Sequence, residues 1–363
     1  MACKQRISLL STSTALQFGP NQPASVHRWS SKPPHYKPVQ CGLRELQRRI
    51  NTVKNTQKVT EAMKLVAAAR VRRAQEAVLC SRPFAESLVQ LLYEITQRLQ
   101  IEDVDVPLTQ IRPVRRVALV IITGERGLCG SFNKSVLKKA EERMEELTKL
   151  GLEYVVIGIG KKGNNYLKRS PEIPIDSLFE GGGLPTAKDA QVIADEVFSI
   201  FISEEVDKVE LIYTKFVSLL NSKPVVSTLL PLSPEGGLLD VNGKSVDAAE
   251  DEIFKLTTRA GKLVVERERV GIGEKGVSPL MEFEQDPVQI LDALLPLYLN
   301  SQILRALQES VASEVAARMN AMSTATDNAV ELNKSLSVRY NSERQAKITG
   351  EILEIVSGAE YVL

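Results

Sequence analysis

Two stretches of this sequence carry residue types at spacings that chemistry uses. Gly158-Ile159-Gly160-Lys161-Lys162-Gly163 has the glycine spacing of a dinucleotide-binding turn and follows an apolar, strand-like run. In such a turn a pyrophosphate sits on backbone N–H groups at a helix start, and the glycines permit its close approach. This one follows the second strand-like run of its region, and Asn164-Asn165 make a poor continuation for a long helix. A tight strand-exit turn accounts for the same glycines and is the reading adopted. Glu125-Arg126-Gly127-Leu128-Cys129-Gly130-Ser131 follows the first strand-like run. It could cradle an anion, or hold a reactive thiol whose pKa Arg126 lowers at Cys129. A strand-to-helix turn that docks on a neighbour is the simpler reading and is favoured.

Other chemistry is excluded by what the chain lacks. The only histidines are His27 and His35, both inside a leader-like segment, and the cysteines Cys3, Cys41, Cys80 and Cys129 form no close pair. No zinc site is available, and histidine-based acid–base or triad mechanisms lose their usual member. No Gly-x-x-x-x-Gly-Lys-Ser/Thr phosphate loop occurs. No catalytic residue, cofactor or metal is therefore expected.

The elements that would position any site are dominated by the two ends. No proline falls between Cys41 and Arg82. Leu43, Ile50, Val71 and Val78 share one seven-residue register, and Leu46, Val53, Ala67 and Ala74 share its companion. Near the other end Leu304, Leu307, Val311, Val315, Met319, Met322, Ala325, Ala329, Leu332, Leu336 and Tyr340 step by three or four. Two narrow seams, far apart in sequence, are expected to bury against each other as an antiparallel coiled coil. At about 1.5 Å per residue each arm would span roughly 60–100 Å. Polar Gln57, Thr60 and Lys64 interrupt the first seam, and Val59, Met63 and Val66 offer a shifted stripe, so a slip and a change of neighbour are expected there.

Between the arms, strands are expected at Val117–Thr123, Tyr154–Ile159, Lys208–Phe216 and Val225–Leu230, with helices at Asn133–Leu150 and Thr186–Ile202. Their alternation predicts a Rossmann-like α/β domain with a largely parallel sheet. The pattern then breaks down. Asn242-Gly243 reads as a hairpin turn, an acidic turn Glu250-Asp251-Glu252 follows, and Leu263–Val265 is β-branched. The terminal helix is expected from Asp286, with Pro287 in its first turn and Pro296 as a possible kink. The boundaries are thus a leader at 1–41, a coiled-coil helix at 42–100, an α/β domain at 101–232, an insertion at 233–279 and a second coiled-coil helix at 280–363.

The chain has 363 residues, a formal charge of +1 and 43% apolar content, an ordinary balance for one or two cores. No apolar run approaches the roughly 18 residues of a membrane helix, so a membrane role would come through partners. The first forty residues contain no Asp or Glu, several Ser and Thr, and scattered Lys and Arg. That composition reads as an organelle transit peptide, more plastid-like than mitochondrial, with cleavage near Val39–Cys41. The first helix carries Arg44, Arg48, Arg49, Lys54, Lys58, Lys64, Arg70, Arg72 and Arg73 against Glu45 and Glu61. Basic heptads could bind duplex DNA, but these cations share the span with the seam and do not precede it. Pairing with Glu309, Glu314, Asp327 and Glu331, or with an acidic protein partner, is preferred, and no nucleic-acid role is expected.

Three separated motifs carry a family resemblance. The segment from Leu43-Arg44-Glu45-Leu46 through Val53-Lys54-Asn55-Thr56-Gln57-Lys58-Val59-Thr60-Glu61-Ala62-Met63-Lys64-Leu65-Val66-Ala67-Ala68-Ala69 resembles the opening helix of rotary ATP synthase gamma subunits. Arg126-Gly127-Leu128-Cys129-Gly130 resembles that family's first strand-exit turn. Ala317-Arg318-Met319, Ala325-Thr326-Asp327-Asn328 and Arg344-Gln345-Ala346-Lys347-Ile348-Thr349 resemble its closing helix. The likeness covers nearly all of Gly42–Leu363.

The resemblance implies a non-catalytic shaft standing inside a ring of alpha and beta subunits, with its α/β domain on epsilon and the membrane c-ring. It places Met63 and Lys64 near the beta-subunit lever, and Arg344, Gln345 and Thr349 in hydrogen-bonding contact with a beta-subunit loop. The insertion at 233–279 resembles that of photosynthetic plastid chains, where two cysteines flank an Asp-x-Asn-Gly-x turn and form a thioredoxin-reducible disulfide. Here Leu239 and Ser245 occupy those positions, around Asp240-Val241-Asn242-Gly243-Lys244. The acidic Glu250, Asp251 and Glu252 that tune the family's switch are present. The implied protein is a plastid gamma isoform insensitive to dithiol regulation, peripheral on the stromal side of the thylakoid membrane.

Overall fold

Two helices dominate the computed structural model. Helix α1 spans Leu43–Ile101 with 59 residues, and α5 spans Pro287–Glu360 with 74. At about 1.5 Å per residue they run roughly 90 and 110 Å. The residues described are 42–101, 112–231, 252–259, 262–269 and 287–360. The expected leader, the Asn242-Gly243 hairpin, and the positions Leu239, Ser245, Glu250 and Asp251 lie outside them. Both helices pass through an internal proline, Pro83 in α1 and Pro296 in α5, without a break.

Between them β1 (Arg116–Ile122), α2 (Phe132–Leu150), β2 (Glu153–Ile159), α3 (Lys161–Leu167), β3 (Ile175–Phe179), α4 (Ala187–Ile202), β4 (Lys208–Phe216) and β5 (Ser222–Leu230) build one domain. The sheet order is β3-β2-β1-β4-β5. The first four strands are parallel, and β5 joins β4 antiparallel. The largely parallel sheet read from the sequence is therefore present. Strand β3 was not expected: it is a short edge strand carrying Asp176 and Ser177, too polar to read as a buried run. Strand β5 begins at Ser222 instead of Val225 because Pro224 fits an edge strand, where a missing N–H costs no ladder bond.

Local signals set the helix ends. Thr186 accepts from Asp189 N while Asp189 accepts from Thr186 N, a capping box that opens α4. Gly151, at φ 79°, closes α2, and Leu152 N donates to Leu147 O at 3.0 Å. Beyond the sheet, β6 (Glu252–Arg259) pairs antiparallel with β7 (Lys262–Arg269). Glu252, expected in an acidic turn, instead opens β6.

The core has two layers around the sheet. On one side α2 packs through Val136, Ala140, Met144 and Leu147 against Leu119, Ile121 and Ile212. On the other, α4 shares a cluster with Leu88, Val89 and Leu92 of α1 and Leu295, Tyr298, Leu299, Ile303 and Leu307 of α5. The expectation that the long helices bury only against each other is thus corrected. Their domain-side parts, from about Ala67 onward on α1 and as far as Ala321 on α5, contact the α/β domain, and only the distal part is a free-standing pair. A helix flanked by a partner on one side and a sheet on another is buried nearly all round. That explains why Ser301, Gln302, Arg305, Glu309, Ser310, Ser313 and Glu314 of α5 are all buried.

A buried ionic cluster holds α2 to the sheet. Arg143 Nε and Nη2 donate to the two Glu210 oxygens at 2.9 and 2.7 Å, and Lys208 Nζ lies 3.0 Å from Glu210 Oε1. Burial alone would push the Glu210 carboxyl up, but Lys208 and Arg143 outweigh it and hold it below the usual carboxylate range.

Candidate functional site

The paired helices keep a single heptad seam with no slip, from the Phe216 contact outward. Leu46, Ile50, Thr60, Ala67, Val71, Ala74 and Val78 of α1 are buried, and Val53, Gln57 and Lys64 are half-buried in the same register. On α5 the seam runs through Val315, Met319, Met322, Thr326, Ala329, Asn333, Leu336 and Tyr340. The expected slip at Gln57–Lys64 is therefore corrected: the register holds, and buried Thr60 finds a partner in the seam. Thr326 Oγ1 lies 2.8 Å from Thr60 Oγ1, and Thr60 Oγ1 donates to Gln57 O at 3.0 Å. Leu332, expected in the stripe, is half exposed, with Asn333 facing the seam in its place.

Because the seam does not shift, Val59, Met63, Leu65 and Val66 point outward, exposed by 39–66%. Met63 and Lys64 thus differ: Met63 belongs to this outward apolar stripe, and Lys64 lines the edge of the seam. The hydroxyl pair is a polar layer that apolar residues could replace. Substituting Val at both Thr60 and Thr326 is expected to leave stability unchanged or raised, within about 1 kcal/mol, since both hydrogen-bonding partners vanish together. Thermal unfolding of the purified chain would measure this, and a loss above about 2 kcal/mol would give the pair a larger structural role.

Where the helix pair crosses the end of β4 the helices and the sheet are tied by directional bonds. Arg82 Nε donates to Glu309 Oε1 at 3.0 Å and Arg82 Nη2 to Phe216 O at 2.6 Å. Phe216 N donates to Glu309 Oε2 at 3.3 Å, and Arg305 bonds both Glu309 and Glu86. Of the acids expected to pair across the helices, Glu309 does so. Among the described residues Glu314 pairs within its own helix with Arg318, and Asp327 and Glu331 form no ion pair.

The second and third sequence motifs meet one another. Arg318 donates to Gly127 O at 3.2 Å and Arg126 O at 3.4 Å, clamping the 125–131 turn onto α5. Docking on a neighbour was the favoured reading of that turn, and α5 is the neighbour. The thiol alternative does not fit: Cys129 is buried, and burial with nearby Glu314 pushes its pKa up, Arg318 only partly opposing. The glycines of 158–163 serve packing. A Cβ on Gly160, at φ 99°, would stand 2.2 Å from Thr123 O, and one on Gly163 would stand 2.5 Å from Thr123 Oγ1. Thr123 fills the space a phosphate would need, and its Oγ1 accepts from Gly163 N at 2.9 Å.

Arg344, Gln345 and Thr349 come together on the far end of α5, all exposed. The bonds Thr326–Thr60, Gln302–Ala85 and Arg305–Glu86 fix an antiparallel register that brings Leu43 opposite residues near 344. Beyond that point α5 continues to Glu360, with Ile348, Ile352, Leu353, Ile355 and Val356 exposed by 48–71%. An apolar single helix of this kind is stable only when something surrounds it.

A shaft rooted in an α/β domain and ending in a bare helix has known counterparts. The ATP synthase family model matches residues 42–362. The ATP synthase gamma chain, chloroplastic, of Spinacia oleracea is 63% identical over 99% of both chains. The chloroplastic gamma subunit of Zea mays is 65% identical over 93% of this chain and 94% of its own. This chain belongs to the ATP synthase gamma family. Among solved structures it superposes on a chain of the Tetrahymena thermophila mitochondrial ATP synthase central stalk and c-ring at 23% identity with a TM-score of 0.51, covering 74% of this chain and 99% of that one. A Euglena gracilis mitochondrial ATP synthase chain gives 14% identity and a TM-score of 0.54 over 88% and 94%. The gamma-family fold is thus shared well beyond sequence likeness. Among the described residues of this gamma-family chain, no helix is long and apolar enough to cross a membrane, and no cluster of metal-ligating side chains occurs.

Proposed function

We propose that this chain is the central rotor shaft of a chloroplast proton-translocating ATP synthase, coupling proton flow to ATP synthesis in an alpha/beta head. The observation that carries the reading is the distal α5 helix, bare and apolar beyond its partner, on a pair rooted in the α/β domain. A bare apolar tip matches insertion into a surrounding ring, and the rooted base matches attachment to a turning rotor. Partners are the alpha, beta and epsilon subunits and the c-ring, with the chain peripheral to the thylakoid membrane on its stromal side. We read the α/β domain as Rossmann-like in strand order, without a dinucleotide site. Met63 and Lys64 would approach the beta-subunit lever, and Arg344, Gln345 and Thr349 a beta-subunit loop.

Reconstitution tests this. Alpha and beta subunits assembled with this chain are expected to give an ATPase whose hydrolysis drives rotation of the α/β domain. An active assembly in which this chain stays still would overturn the reading.

The regulatory proposal is separate. Leu239 and Ser245 stand where plastid relatives of the resembling type carry thiols, so no disulfide can form between them. Dithiothreitol or reduced thioredoxin is expected to leave the ATPase rate unchanged. The double variant Leu239→Cys/Ser245→Cys is expected to confer a redox response. A response of the unaltered complex that maps to this loop would refute the proposal.

A further inference from the structure

A rotor shaft must pass a tangential force between its helices and the domain beside them. Apolar packing resists separation, but its attraction is non-directional and holds angle weakly. Directional, charge-assisted hydrogen bonds fix angle. In this chain such bonds concentrate where three bodies meet. Glu309 of α5 has a fully buried side chain, and its two oxygens face different partners. Oε1 accepts from Arg82 Nε of α1 at 3.0 Å and from Arg305 Nε at 3.2 Å, while Oε2 accepts from Phe216 N at the end of β4 at 3.3 Å. Arg82 closes the ring on Phe216 O at 2.6 Å, and Arg305 reaches back to Glu86 of α1 at 3.3 Å. On one side of this level the helices share the main core of the domain; on the other they keep Phe216 in their own seam and hold the domain's turns through Arg318 and Asn320 before running free.

We infer that Glu309 is the positioning residue of a torque joint, fixing the angle of both shaft helices to the sheet through Arg82 and Phe216. The inference rests on the rotor reading above. Buried ion clusters are poor stabilisers compared with apolar packing, so a cluster at this junction is better explained by the angle it holds than by stability. The main-chain partners add to this, because Phe216 cannot rotate away from Glu309 as a side chain could. Two further bonds, Thr214 N to Ser310 Oγ at 3.3 Å and Ser313 Oγ to Thr214 O at 3.4 Å, continue the same contact along β4.

The test uses the assembled alpha/beta head carrying this chain, fixed to a surface, with a bead on the α/β domain. Angular fluctuation of the bead during a catalytic pause reports torsional stiffness. Two variants are compared: Glu309→Gln, which removes the charge, and the combined Arg82→Met, Arg305→Met and Glu309→Leu, which replaces the cluster by apolar packing. Both are expected to at least double the angular variance, while unloaded ATP hydrolysis stays within twofold. The inference fails if the combined variant has the parent's variance, because packing alone would then fix the angle. It fails equally if Glu309→Gln assembles and fluctuates like the parent. Absence of rotation in the parent assembly would refute the rotor reading and not the joint.

Discussion

Replacing Glu210 by Leu is expected to destabilise the chain by about 3–5 kcal/mol, the cost of removing one partner from a buried ion pair. Its side chain is inaccessible, as is that of Lys208, and Arg143 is 3% exposed. Removing the carboxylate takes from two desolvated cations the acceptor they share; Arg143 retains half-exposed Glu146, at 2.9 Å. The combined change Arg143→Met, Lys208→Leu and Glu210→Leu is expected to recover most of the loss, because an apolar trio needs no acceptor. Urea unfolding of the purified chain would measure both, since a shift in midpoint at constant slope reports stability alone. The Glu210 carboxyl titrates lower when folded than when unfolded. Its contribution is therefore full above the unfolded carboxylate pKa of about 4.3 and is lost as pH falls through the folded value. Equal stability of the single and combined variants would show that the charges are not the cause.

The double variant Arg344→Ala/Gln345→Ala is expected to lower coupled ATP synthesis by at least about tenfold, from the loss of one charge-assisted and one neutral hydrogen bond to the head. Both side chains are exposed where α5 reaches the end of its partner, so neither supports the fold. Thr349→Ala should do less: its hydroxyl donates to Gln345 O at 2.9 Å and is partly committed within the helix. The measurement is acid–base-driven ATP synthesis in proteoliposomes, with subunit composition checked in parallel. Intact assemblies that synthesise ATP at the parent rate would remove these residues from the contact.

The long helices were legible because a heptad seam repeats over many turns and each repeat reinforces the last. Strands β1 and β2 were legible for a related reason: each is a buried apolar run too short for a helix. Strand β3 was hidden because an edge strand is half exposed and needs no apolar alternation. The slip at Gln57–Lys64 was misread because type alone cannot show that Thr60 meets a hydroxyl partner 266 positions away. The site divides similarly. Arg344, Gln345 and Thr349 are visible as a motif, and their exposure follows from the helix outrunning its partner. Glu309 and Arg82 carry no local signal, since an acid and a base inside apolar helices look like ordinary surface residues until a third element covers them.

The sequence by itself determined that two helices would pair in antiparallel over a long seam, that the middle would be an α/β domain, and that no histidine was available for chemistry beyond residue 41. Those outcomes follow from periodicity and composition, which act over neighbouring turns. Only the tertiary structure decided where the shaft ends and the domain begins. That boundary depends on which side chains of α1 and α5 meet the sheet, contacts that span 93 positions between Phe216 and Glu309 and 134 between Arg82 and Phe216. The same contacts bury Glu309 against Phe216, and through them the angle of the shaft is set.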